Sequence, residues 1–197
     1  MDTEHCISRD EIDLGKIVGR GGIFEGFAVS MLDEIGSTQD EGWKLLRGGE
    51  SGAVVVANRQ SNGRGRCGRK WHGCAGNVYM TIALSNLNGD TDLQALSFQM
   101  AEGVSAMFTE KFGVAVHPKA PNDLMLGDGK IGGILIEFAG TSAAIGVGIN
   151  LIADDRLQSQ CSQQVGSLDE FKSLKRDEVI SALCTTIGEV LAPSISG

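Results

Sequence analysis

The sequence predicts an α+β domain, with a mixed, largely antiparallel central sheet covered by a few helices. Three observations carry that expectation. Short apolar segments follow one another closely through residues 114–151, with turn signals at Asp128-Gly129 and Gly140–Ser142, the pattern of consecutive hairpins. Two other segments repeat apolar residues at helical spacing. One runs through Leu93, Leu96, Met100, Val104, Met107 and Phe108, the other through Ile180, Leu183, Ile187 and Leu191. The chain is 197 residues long and 42% hydrophobic, enough for one substantial core.

Five glycines, Gly15 to Gly26, make residues 1–26 a weak core contributor, expected as a mobile leader. Phe27–Ile35 reads as a strand. Ser37 and Thr38 each precede an acid by three residues (Asp40, Glu41), a capping-box pattern opening a helix to about Leu46. Valine-rich Ala53–Asn58 is a buried strand, Arg59–Gly76 a glycine-rich basic loop, and Asn77–Leu84 a strand. Thr91, with Gln94 three residues on, is expected to cap the next helix. Val114–Val116, Leu124–Leu126, Ile131–Phe138 and Ala144–Leu151 follow as strands. Residues 153–166 are polar and irregular. Ser167 and Glu170 form a further capping-box pattern that opens a helical region to about Leu191.

Composition excludes several classes. No run approaches the ~18 apolar residues of a membrane span, and Met1–Lys16 carries acids where a secretory peptide would be basic. A net charge of −8 opposes a general nucleic-acid binder. The 5 cysteines lack CxxC spacing, so neither a zinc site nor a disulfide framework is indicated. Within this acidic chain, residues 51–89 hold no acid but contain Arg59, Arg64, Arg66, Arg69 and Lys70. A local cationic site of that kind suits a small anionic ligand better than a long polyanion. A solvated basic loop is the plain alternative.

Three segments can carry chemistry. In Gln60–Trp71 (QSNGRGRCGRKW), Gly63, Gly65 and Gly68 let the backbone approach a ligand, while the arginines can fork around phosphate or carboxylate oxygens. It lacks the Walker pattern. Lys119-Ala-Pro-Asn-Asp123 reads structurally as an Asx-turn, but it is followed by Lys130 beside Gly132-Gly133, which leave space over their strand. Gly146-Val-Gly-Ile-Asn150 ends a buried strand on one polar amide.

Taken together and in this order, the segments resemble the catalytic domain of biotin–protein ligases (biotin–[acetyl-CoA-carboxylase] ligases). That family has Ser-Thr-Asn, Gly-Arg-Gly-Arg-x-Gly-Arg-x-Trp, Asn-Leu-Tyr, Lys-Trp-Pro-Asn-Asp, Lys-x-Gly-Gly-Ile-Leu and Gly-Ile-Asn. Here stand Ser37-Thr38-Gln39, Gly63 to Trp71, Asn77-Val78-Tyr79, Lys119 to Asp123, Lys130 to Leu135 and Gly148-Ile149-Asn150. Gln39, Cys67 and Ala120 depart from the pattern, as does His72-Gly73-Cys74. The likeness covers about residues 27–151 and implies a class II synthetase-like biotin ligase fold over 27–197. It is expected without the DNA-binding domain or the full C-terminal β-barrel that some members carry.

The implied reaction joins biotin and ATP into biotinyl-5′-AMP, then passes the biotinyl group to a lysine of a carboxylase's carrier domain. Magnesium is expected to ride mainly on the ATP phosphates, with no side chain assigned to it. Lys130, Arg66 and Asp123 are the implied catalytic residues, Asp123 orienting the attacking lysine or taking its proton, or else only an Asx-turn residue. Biotin is expected at Ser37, Thr38, Gln39, Gln60, Gly63, the Arg64 backbone, Gly65 and Lys130. The nucleotide is expected at Arg66, Arg69, Trp71, Asn122, Lys130 and Asn150; a core tryptophan is the alternative for Trp71. The cytoplasm is the expected compartment, a mitochondrial pool the second; neither nucleic acid nor membrane is an expected partner. The rival readings are a lipoate–protein ligase and a non-catalytic nucleotide- or RNA-binding module.

Overall fold

The computed structural model describes residues 23–171 and 174–195. Seven strands form one open sheet: β1 (Ala28–Ile35), β2 (Gly52–Gln60), β3 (Val78–Leu84), β4 (Val116–Lys119), β5 (Asp123–Leu126), β6 (Gly129–Ala139) and β7 (Ser142–Ile149). Their spatial order is β1-β2-β3-β7-β6-β5-β4. Only β1–β2 is parallel, so the sheet is mixed and largely antiparallel as expected. The described α-helices are α1 (Thr38–Arg47), α2 (Leu93–Phe112), α3 (Asp155–Gln160) and α4 (Arg176–Leu191), with short 3-10 turns at Arg66–Gly68 and Ala192–Ser194. No described helix is long and apolar enough to cross a membrane.

Both expected hairpins form on two-residue turns. Leu126 pairs with Gly129 around Gly127-Asp128, and Ala139 with Ser142 around Gly140-Thr141. Gly127 and Gly140 take φ of 55° and 60°, a conformation open to glycine at little cost.

The two faces of the sheet do different work, and strand periodicity separates them. Val54, Val56, Met80, Ile82, Ile145 and Val147 point into one core, where they join Leu96, Met100, Phe108, Ile180, Leu183 and Ile187 from α2 and α4. On the other face the alternate positions are small. Thr81 pairs with Gly146, and Gly148 with both Tyr79 and Gly133. Helix α1 covers part of that face closely: a Cβ on Gly42 would lie 3.0 Å from the Ala83 Cβ. Small residues elsewhere on the face leave a cavity.

Several boundaries differ from expectation for identifiable reasons. Phe24 is buried against Phe27 and Gly188, so the core begins within residues assigned to the leader; residues 1–22 lie outside the described part. Helix α2 is capped by Asp92, whose carboxylate accepts from the Gln94 and Ala95 amides, while Thr91 turns to the Asn88 carbonyl. The helix ends at left-handed Gly113 with the Val114 amide bonded to the Phe108 carbonyl, a closure that pushes the next strand back to Val116. Residues 153–166 contain α3, capped by Asp154 at the Leu157 amide. The Ser167–Glu170 box does not open a helix. The Ser167 hydroxyl bonds Asp169, the Leu168 amide bonds the Asn150 carbonyl, and α4 starts at Arg176.

Arg176 explains that start. Its guanidinium is 4% exposed and donates to the carbonyls of Ala57 and Asn77 and to the Asn58 side chain, tying α4 to the ends of β2 and β3. Burial pulls its pKa down to about 10, which still leaves it charged at neutral pH. Replacing Arg176 by methionine strands two buried carbonyls and the half-buried Asn58 side chain, and is expected to cost about 2 kcal/mol. Urea denaturation measures it; an unchanged midpoint would show that water can replace the guanidinium.

Candidate active site: an arginine hairpin over a glycine floor

Gly63–Trp71 is a small hairpin rather than an open loop. The Trp71 amide donates to the Gly63 carbonyl, the Gly65 amide to the Arg69 carbonyl, and Arg64 bridges Lys70. Its tip is a 3-10 turn, Arg66–Gly68, in which Cys67 takes φ of 55° and Gly68 of 73°. A Cβ on Gly63 would lie 2.9 Å from the Trp71 carbonyl oxygen, so the glycine is needed where the two arms close. Arg66, Arg69 and Lys70 are exposed and make no ion pair among the described residues.

Arg64 differs. Its Nε and Nη2 both contact Glu137 at 3.2 Å, and its Nη1 contacts Asp40 at 2.6 Å. Partial burial opposes its charge, but the hydrogen bonds it donates to Glu137 and Asp40 prevail and raise its pKa. The expectation that every arginine of this segment can fork around a ligand is therefore corrected: this guanidinium is occupied, leaving the Arg64 backbone.

Beneath the hairpin lies a cavity of about 360 Å³. Of the fourteen residues expected to act, all but Gly63 line it. Ser37, Thr38 and Gln39 enter from the start of α1, where the Ser37 side chain makes no cap bond. Gln60 Oε1 accepts from the Thr38 amide at 2.7 Å and from the Thr38 hydroxyl at 3.0 Å, and Thr81 donates to that hydroxyl at 2.8 Å. The capping-box hydroxyls thus belong to the cavity wall. Gln39 is buried, its amide donating to the carbonyls of Leu135 and Ala144 at 3.3 and 3.2 Å. It lies where a Cβ on Gly146 would meet it at 3.0 Å.

From the opposite side Lys130 reaches over Gly133, a Cβ on which would lie 3.5 Å from the Lys130 Cε. Its Nζ is 2.6 Å from Asp123 Oδ1 and 5.4 Å from the Trp71 ring centroid. Asp123 pairs with Lys119 at the base of the β4–β5 turn, while the Asn122 side chain donates to the Ile134 carbonyl. Trp71 rests on the glycine floor: a Cβ on Gly148 would lie 2.6 Å from its Cε2. Its Nε1 is buried against that floor without a hydrogen-bond partner. Asn150 is buried, its amide donating to the Gly166 carbonyl and its oxygen accepting from Asn77. One N–H remains for a bound group.

Residues 157–165, inside the polar stretch 153–166, form a further wall with Leu157, Cys161 and Gln163 among the lining side chains. This segment straps onto β6 at Lys130, whose amide donates to the Gln164 carbonyl and whose carbonyl accepts from Gly166. A Cβ on Gly129 would lie 2.8 Å from the Gly166 Cα, so the strap sits this close only between glycines. Burial pushes the Cys161 thiol up against the opposing pull of Lys130. Asp40, Trp43 and Glu137 were missed by sequence reasoning.

No three His, Cys, Asp or Glu side chains converge as a metal site among the described residues, and Asp123, the carboxylate lining the cavity, is engaged by Lys130. That donor set fits a divalent ion brought on a phosphate chain better than one held by the protein.

An α+β sheet with an arginine hairpin and a strand lysine facing one cleft sets cationic side chains on two sides of a single cavity. The chain belongs to the Biotin/lipoate A/B protein ligase family, whose model matches residues 33–152. It is 38% identical over 132 residues to a biotin–[acetyl-CoA-carboxylase] ligase of Paracoccus denitrificans, covering 61% of this chain and 53% of that protein. It is 35% identical over 138 residues to the bifunctional ligase/repressor of Escherichia coli K12, covering 66% and 42%. Among solved structures it is similar to the Aquifex aeolicus biotin protein ligase in complex with biotin and ATP, with a TM-score of 0.70 and 28% identity over 84% of this chain and 70% of that one. The chain spans about half the length of the curated relatives it matches.

Proposed function

We propose that this chain activates biotin with ATP as biotinyl-5′-AMP and transfers the biotinyl group to a lysine of a carboxylase carrier domain. The observation that carries this reading is that Arg66 and Lys130, distant in sequence, line one cavity together with Arg69 and Trp71. A carboxylate attacking an α-phosphate brings two anions together, and at about 4 Å they repel by roughly 4 kcal/mol at an effective dielectric of 20. Lys130 and Arg66 offset that repulsion at the meeting point, and Arg69 holds the outer phosphates.

The neutral ureido head of biotin meets paired donors and acceptors at Ser37, Thr38, Gln39, Gln60 and the Gly63–Gly65 backbone. Trp71 stacks on adenine, and Asn122 and Asn150 complete that side. Magnesium, carried on the ATP phosphates, neutralises the charge of the departing pyrophosphate. Asp123, released from Lys130 as the anions bind, orients the acceptor lysine or takes its proton. The 157–165 wall excludes water from the mixed anhydride.

Biotin-stimulated ATP–pyrophosphate exchange, followed by labelled transfer to a biotin carrier domain, tests the proposal. Exchange stimulated by lipoate instead would favour the lipoate ligase, and no exchange with either vitamin the non-catalytic module. Replacing Arg66 by glycine should release the adenylate about tenfold faster, because one fixed charge on it is gone. Rapid filtration of enzyme loaded with labelled biotin reads the rate; retention equal to wild type would remove Arg66 from the site.

A further inference from the structure

We propose that Glu137, assisted by Asp40, is a positioning residue that closes the arginine hairpin over the cavity by gripping Arg64. The inference rests on the biotin-activation reading. Glu137 stands on β6 two positions beyond Leu135 and four beyond Gly133, on the face that bears the cavity. One of its oxygens accepts from Arg64 Nε at 3.2 Å, and the other from Arg64 Nη2 at 3.2 Å and Trp43 Nε1 at 3.0 Å. One carboxylate therefore ties the hairpin to both the sheet and α1.

The Arg64 and Glu137 side chains are each 31% exposed, against 58% for Asp40, so the fork onto Glu137 is the stronger half of the clasp. Arg64 lies on the first arm of the hairpin, two residues before Arg66. Holding that arm fixes where the cationic tip can sit. Neither carboxylate of the clasp lines the cavity, so Glu137 and Asp40 act on how often the hairpin is closed. Apparent affinity for a ligand that needs the closed hairpin scales with the closed fraction, while turnover of the bound complex does not.

The test uses Glu137→Gln, Arg64→Met and the double variant. Glutamine keeps an acceptor for Trp43 but loses the charge and one of the two oxygens of the fork. Each single change should weaken biotin binding about fivefold in calorimetry, through faster dissociation in stopped flow. For Glu137→Gln, whose side chain does not line the cavity, kcat at saturating biotin and ATP should stay within about twofold of wild type. The double variant should bind no more weakly than the weaker single, because one interaction is being removed twice. Additive losses, or unchanged biotin affinity with a lower kcat, would overturn the clasp.

Failure of the biotin reading shows separately, as a wild type that binds no biotin. Trypsin then reads the clasp without ligand: Glu137→Gln should be cut faster between Arg66 and Lys70, at an unchanged melting temperature. Equal cutting rates would overturn it.

Discussion

Replacing Lys130 by methionine lowers biotin-dependent pyrophosphate exchange by about a thousandfold, the upper range for losing one preorganised charge donor. The position has no substitute. The Lys130 backbone is clamped on both sides, by Gln164 and Gly166, and its side chain is aimed across Gly133. Arg66 stands on the exposed hairpin tip and lines the same cavity, where it is proposed to supply the opposite side of the meeting point. The substitution also strips the partner from Asp123, 2.6 Å away, turning a neutral pair into a lone carboxylate facing two incoming anions. Lys130→Met with Asp123→Asn should therefore recover about tenfold relative to Lys130→Met alone. Exchange assays with biotin binding measured separately check both. A Lys130→Met enzyme retaining a tenth of wild-type exchange would remove the lysine from the chemistry.

Where sequence patterns describe a repeating face, they place the elements correctly; where they describe a single side chain, competition decides. The α2 stripe from Leu96 to Phe108 and the α4 stripe from Ile180 to Leu191 are buried as their spacing requires, because many residues must agree on one face. The capping boxes fail as side-chain bonds, although the first marks its helix start correctly, with Ser37 at the N-cap of α1. The hydroxyls at Ser37 and Thr38 belong to the cavity wall, Ser167 bonds Asp169, and Asp92 outcompetes Thr91 one residue earlier. Thr38, Ser167 and Thr91 have the right local chemistry and a partner elsewhere, which no local pattern can register.

The site is legible to a different depth. Motif order brings Gly63–Trp71, Lys119–Asp123, Lys130–Leu135 and Gly148–Asn150 to one cavity. The pattern gives no sign that Arg64 is occupied, because its partners lie 24 and 73 positions away on different elements. Glu137 carried a signal that could have been used: Gly133, Leu135 and Glu137 alternate along one strand, which places the acid on the glycine-floored face. The helix Asp155–Gln160 leading into the 157–165 wall gave no signal, since 6 residues are too few for a readable stripe.

The glycine floor yields the second large effect, Gly148→Ala. The added methyl group would lie 2.6, 2.7 and 2.8 Å from Cε2, Cζ2 and Nε1 of Trp71, distances that real Cβ atoms do not reach. Gly148 cannot retreat, because β7 is paired on both sides, with Tyr79 of β3 and Gly133 of β6. The indole must yield instead. It is anchored by its backbone to Gly63 across the hairpin, so it tips into the space that adenine is proposed to fill. Stacking on an aromatic is worth about 1–3 kcal/mol, and losing it together with the space should raise the KM for ATP roughly fiftyfold. Biotin binding, measured without nucleotide, should change far less, since Thr38, Gln39 and Gln60 lie toward α1 and β2. A second change, Trp71→Leu, removes the clash and the stack together, so adding Gly148→Ala to it should cost little more. An unchanged ATP KM in Gly148→Ala, with the fold intact by circular dichroism, would show that adenine does not use the indole. The glycine would then serve only to seat Trp71 against the sheet.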